Sequence, residues 1–236
     1  MQRISGEIVF IIDYEIFHIE MLRNAMMRVV SLFGGANESQ IKAIYDLLTE
    51  KYGNEIDPEI FVRAIYYYFV ERKKIMESIN SASNSFVNEK ITKAVDMYKK
   101  NIETLKMDSL LIEMFKELSR NVKFVLVGKS TYEKEVEKFT CENDIHFEEV
   151  ILRPNLINAI TEISIKGGIE SINKQVLVFF TPDREIIPVA KKMGMLTVYK
   201  KKSSDEIVTD SQDRRPHYMM YKLQDFAKIY REVALK

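Results

Sequence analysis

The spacing of the strand signals constrains this chain more than any other feature. Glu7-Ile-Val-Phe-Ile-Ile-Asp13 is a short run of β-branched and aromatic residues that stops at a carboxylate. Such a run reads as a buried strand of a parallel sheet. No comparable run follows until Val122–Val127, after which strand and helix patterns alternate. Further strands are expected at 147–152, 176–180 and 196–199. Helices are expected from about Tyr132 to Cys141 and over Asn155–Ile165, Ile186–Met193 and Leu223–Leu235. This alternation predicts a parallel sheet with helices on both faces.

The interval between the first two strands carries helical periodicity. Ile16, Ile19, Leu22, Met26, Val29 and Phe33 recur every three or four residues, as do Ile41, Ile44, Leu48 and Tyr52. Gly34-Gly35-Ala36-Asn37 and Gly53-Asn54 read as helix ends. Asp57-Pro58-Glu59 reads as a start, with a capping aspartate, proline in the first turn and an acid at the positive end. The polar stretch Ser78–Ser85 reads as a break before a last helix with Ile91, Val95, Tyr98, Ile102 and Leu105, and Asp108 as the cap of the next. A sheet does not use so many helices between two neighbouring strands. The expected fold is therefore α/β, a Rossmann-like parallel core with an inserted all-helical subdomain. The core is placed at 1–16 and 106–236 and the insert at 17–105.

Composition narrows the function. Lys plus Arg and Asp plus Glu are both 35, so no global field draws the chain to nucleic acid or to an acidic membrane, and neither is an expected partner. A single cysteine, Cys141, excludes an internal disulfide framework and a cysteine-built zinc site. The apolar run Ile8–Ile12 is shorter than the roughly 7–15 residues of a signal peptide and the roughly 20 of a spanning helix. A reduced cytoplasmic setting is the expectation.

Ligands of open parallel sheets bind beyond the carboxyl ends of the strands. That places Asp13 and the loops 128–131, 152–155, 181–185 and after Tyr199 at the candidate site. Gly128-Lys129-Ser130-Thr131 is not a P-loop, since position 123 is Lys where that loop needs Gly, yet its amides lie between a strand and a helix and could meet an anion. Lys200-Lys201-Lys202 reads as a solvated loop, Tyr66–Phe69 as packing, and His18 and His146 as ordinary polar residues at element ends.

A strand ending in Asp-x-acid, a helical insert and then βαβ units resembles the haloacid dehalogenase-like superfamily over nearly the whole chain. Ile11-Ile12-Asp13-Tyr14-Glu15 resembles its first motif, and the insert its helical cap, with a cleft between cap and core. Tyr98 through Leu118 resembles the re-entry into the core. Phe147-Glu148-Glu149-Val150 and Leu152-Arg153-Pro154-Asn155 resemble the third motif, normally Lys-Pro. Ala190 to Val198 resembles the segment after the fourth, and Arg215-Pro216-His217-Tyr218 followed by Leu223 fits the ending.

The resemblance implies a phosphohydrolase acting on a small phosphorylated metabolite through an aspartyl-phosphate. Asp13 would be the nucleophile and Glu15, in place of the usual aspartate, the acid and base. Magnesium would be held by Asp13 with Asp183 and Glu185, and phosphate by Lys129, Ser130 and Arg153. The motifs depart from the family's. Gly128 stands where a Ser or Thr is usual, with Ser130 or Thr131 as substitutes, and Arg153 replaces the Lys. Counting back from Gly194 places Thr181 and Ile186 where metal-binding acids belong, with Asp183 and Glu185 offset. Capping of the next helix is the competing role for those two acids. The departures leave two alternatives: a non-catalytic relative that binds a ligand or partner in the cleft, and a metal-free dehalogenase.

Overall fold

The computed structural model describes residues 7–34, 38–52, 56–83, 89–104, 106–167, 175–201 and 211–235. Six strands form one sheet: β1 (Glu7–Asp13), β2 (Val122–Lys129), β3 (Glu149–Arg153), β4 (Gln175–Thr181), β5 (Leu196–Lys200) and β6 (Tyr218–Met220). Their order is β3-β2-β1-β4-β5-β6, and every neighbouring pair is parallel. This is a doubly wound α/β sheet, the class expected from the alternation. The strand order reverses at β1, so the crevice at the carboxyl ends of β1 and β4 is where such a sheet takes its ligand.

The two sheet faces follow from the pleat. Val9 and Ile11 of β1 point one way and join Val125, Val127, Ile151 and Phe179 in a core completed by α8 (Leu156–Gly167) and α9 (Ile187–Lys192). Phe10 points the other way and meets Phe124, Phe180 and Phe226, with ring centroids 6.0, 4.7 and 6.2 Å away. Phe226 belongs to α10 (Asp225–Ala234), and Phe115 of α6 (Ser109–Leu118) packs against it at 5.2 Å. Each fully buried phenylalanine contributes roughly 1.5–3 kcal/mol of transfer free energy. Covered on both faces, β1 is apolar at consecutive positions, which is why it reads as a continuous run.

The chain divides into two compact units, one made of Met1–Glu20 and Lys106–Lys236 and the other of Met21–Leu105. Besides the sheet, the first contains α7 (Glu133–Glu142). The second contains most of α1 (Glu15–Ser31), with α2 (Glu38–Tyr52), α3 (Pro58–Phe69), α4 (Ile75–Ala82) and α5 (Glu89–Glu103), and no strand among its described residues. It has its own core, to which Val29, Ile44, Leu48, Phe61, Ile65, Ile79 and Ala94 belong, and Tyr66 and Tyr67 are buried in it. Asp57 caps α3 by accepting from the Glu59 amide at 2.7 Å, and Asp108 caps α6 by accepting from the Leu110 amide at 2.8 Å.

Several expectations need correcting. Ser78 to Ala82 is helix, not a break: Ser78 is buried and returns its hydroxyl to the Lys74 carbonyl at 3.0 Å, so its polarity is satisfied inside the helix while Ile79 faces the core. Asn84 and Ser85 lie outside the described residues, as do Gly35-Ala36-Asn37 and Gly53-Asn54. Strand β3 begins at Glu149, two residues later than expected. β6 has no counterpart in the sequence reading, because three residues carry too little alternation to signal a strand. Lys200 is not part of a solvated loop. It ends β5 only 2% exposed, donates to the Tyr221 carbonyl at 2.6 Å and pairs with Glu20 at 3.6 Å. A buried ammonium needs such partners. Lys202 lies outside the described residues. No helix among the described residues is long and apolar enough to cross a membrane.

Candidate functional site

Asp13 is the last residue of β1 and is 3% exposed. Its neighbours come from the start of α1 and the end of β4. One carboxylate oxygen, Oδ1, accepts from the Glu15 amide at 3.1 Å, and Oδ2 accepts from the Thr181 hydroxyl at 2.9 Å. The Thr181 hydroxyl oxygen in turn accepts from the Asp183 amide at 3.0 Å. Burial pushes the Asp13 carboxyl up to about 7, aided by the Glu15 charge and opposed by the two hydrogen bonds and by Lys129. Asp13 and Thr181 thus stand on either side of the switch point and are joined directly.

The other residues named from the sequence have different engagements. Asp183 turns its Oδ1 to the Glu185 amide at 2.9 Å and caps the 3₁₀ turn Arg184–Ile186. Glu185 is exposed and pairs with Arg214 at 2.8 Å. Arg153 points to α8, pairing with Glu162 at 2.6 Å and donating to the Leu152 carbonyl at 2.8 Å. Lys129 and Ser130 are exposed at the end of β2, and Ser130 opens a 3₁₀ turn leading into α7.

Gly128 has a steric reason to lack a side chain. A Cβ there would lie 3.2 Å from Leu152 Cδ2 and 3.3 Å from Tyr14 Cβ. The side chain that the resemblance asks for at 128 therefore requires Leu152 or Tyr14 to shift by a few tenths of an ångström.

These side chains do not fit a magnesium site. Magnesium takes oxygen ligands, carboxylates foremost, in near-octahedral array. Here the atom presented to Asp13 Oδ2 is a threonine hydroxyl, and the two offset acids serve a turn and an arginine. Among the described residues no group of three His, Cys, Asp or Glu is placed to hold a metal ion.

A second group of side chains in the same compact unit escapes the sequence reading. His18, read from the sequence as an ordinary polar residue at an element end, has its Nδ1 3.0 Å from Glu135 Oε2. Its ring centroid is 5.3 Å from Tyr132 and 6.4 Å from Tyr14, and Tyr14 lies 5.4 Å from Tyr132. Tyr14 immediately precedes α1 and His18, four residues on, lies in its first turn, while Tyr132 ends the 3₁₀ turn before α7 and Glu135, three residues on, lies in that helix, so each pair falls on one side of its segment. That spacing is the available signal, but nothing linear says the two pairs meet. Burial pushes the Tyr132 hydroxyl up to about 12, and the carboxylates of Glu15, Glu135 and Asp13 add to it.

Against known proteins, no family model matches the sequence, and no curated protein matches it significantly. Solved structures do resemble it. A dehalogenase with an intermediate complex is 11% identical, covers 97% of this chain and 98% of its own, and superposes with a TM-score of 0.51. A haloacid dehalogenase-like family hydrolase from Streptococcus pneumoniae is 11% identical over 96% and 99% of the two chains, at 0.46. A HAD hydrolase from Bacillus subtilis bound to magnesium is 10% identical over 95% and 98%, at 0.47. At such identities the likeness concerns the fold.

Proposed function

We propose that this chain, whose fold is similar to that of a dehalogenase, keeps the Asp13 site for binding a small ligand and does not perform magnesium-dependent phosphoryl transfer. One observation carries the reading: the Thr181 hydroxyl occupies Asp13 Oδ2 at 2.9 Å, where the resemblance calls for a metal-binding acid. With burial holding its carboxyl near 7, Asp13 exists in both protonation states at neutral pH. It can accept from a ligand when ionised and donate when protonated. The amide of Glu15 and the hydroxyl of Thr181 fix its plane, so it acts as a positioned hydrogen-bonding group.

A second reading, hydrolysis of a small phosphorylated metabolite, is favoured by the placement of Asp13 and Glu15 at the carboxyl end of β1 with the Glu15 amide on Oδ1. In it Asp13 attacks phosphorus, the bond to the leaving oxygen breaks, and Glu15 gives that oxygen a proton. Water then attacks the aspartyl-phosphate with Glu15 as base. Lys129 and Ser130 would face the phosphate. Arg153 would have to leave Glu162, and Asp183 and Glu185 would have to give up their present partners to reach a metal.

p-Nitrophenyl phosphate turnover with magnesium and with manganese separates the two. The ligand-binding reading expects wild type and Asp13→Asn to be indistinguishable from background. Wild-type turnover that Asp13→Asn abolishes would establish the phosphohydrolase instead.

A further inference from the structure

The charges around Tyr132 point to a kind of ligand that a phosphate site would exclude. Its hydroxyl lies within the field of three carboxyl groups, Glu15, Glu135 and Asp13. Glu15 has no ion-pair partner among the described residues, and Arg153, the cation expected to face a phosphate, is spent on Glu162. Glu135 is shared with His18 through one oxygen. Lys129 is exposed and acts on Asp13.

A second observation is independent of these acids. Tyr14 is fully buried, and its hydroxyl, close to Glu135 and Tyr132, closes no well-formed hydrogen bond. A buried polar group without a partner is costly and marks a place where a ligand donor could be received. The half-buried ring of Tyr132, with Tyr14 and His18 against it, offers a π surface there. Aromatic faces beside carboxylates attract ammonium and guanidinium groups and repel phosphate.

We propose that the Tyr132 side of the Asp13 site, bounded by Glu15, Glu135, His18 and Tyr14, binds a small organic cation carrying an ammonium group. This rests on the ligand-binding reading above and names the ligand class. The ammonium would sit over Tyr132 with Glu15 and Glu135 on either side, and the Tyr14 hydroxyl would accept one of its protons.

The test uses the ¹⁵N-labelled full chain, titrated in separate amide spectra with 1,4-diaminobutane and with inorganic phosphate. The diamine should shift the Glu15, His18, Tyr132 and Glu135 amides saturably, and phosphate should leave them in place. Glu15→Gln, Glu135→Gln and the charge-neutral Tyr132→Leu should each weaken the diamine by roughly threefold to tenfold. Saturable shifts with phosphate and none with the diamine would overturn the cationic class and leave ligand binding at Asp13 standing. Shifts from neither probe would remove both readings. Diamine shifts untouched by Tyr132→Leu would show attraction to surface acids alone and overturn the site.

Discussion

Replacing Asp13 with asparagine should stabilise the protein, and more so the higher the pH. The buried carboxyl titrates at about 7 in the fold against an ordinary value of 3.8. An acid whose folded value is raised makes the unfolded state the weaker proton binder between those two values, so wild-type stability falls as pH rises through that window and levels above it. The penalty is about 2 kcal/mol at pH 5 and about 4 kcal/mol at pH 8. Asparagine has no such term. It keeps an oxygen for the Glu15 amide and turns an amide group toward the Thr181 hydroxyl, an exchange that shifts stability by about 1 kcal/mol at every pH alike. Urea titrations followed by circular dichroism at pH 5 and pH 8 should therefore show the gap between variant and wild type widening by roughly 2–3 kcal/mol. Groups that do not interact with Asp13 cancel in that difference. A gap that stays flat between the two pH values would mean that Asp13 is not held in a desolvated site, and the reasoning about its occupied oxygens would fall with it.

Three other outcomes check the site and its support. Wild-type melting should be insensitive to millimolar magnesium. Thr181→Asp should melt lower without metal because it sets a carboxylate against Asp13, and magnesium should restore it; a magnesium-stabilised wild type would refute the poor fit. Gly128→Ser should destabilise by about 1–3 kcal/mol through the contacts with Leu152 and Tyr14, with no phosphatase activity gained, as read by urea unfolding and p-nitrophenyl phosphate. Lys200→Met should cost about 3–5 kcal/mol by leaving Glu20 buried beside a vanished charge, and the double change with Glu20→Leu should recover most of it.

The sequence by itself determined the class of the sheet and the place of the carboxylate that ends its first strand. A strand buried on both faces must be apolar at every position, so Ile8–Ile12 and Phe124–Val127 announce themselves locally, and Asp13 stands out where the run stops. Caps such as Asp57 and Asp108 are equally local, since they act within two residues. The polar engagements of the site are set by approaches between distant segments. Thr181 reaches Asp13 across 168 positions, and Glu135 reaches His18 across 117. Arg153 was legible as a cation and not as a cation already claimed by Glu162, and Lys200 was legible as basic and not as buried. A side chain's charge is a property of the residue. Its partner and its exposure to water belong to the packing of elements that the linear pattern does not orient. Only the tertiary structure could decide that the carboxylate at the end of β1 meets a hydroxyl where a metal acid was sought.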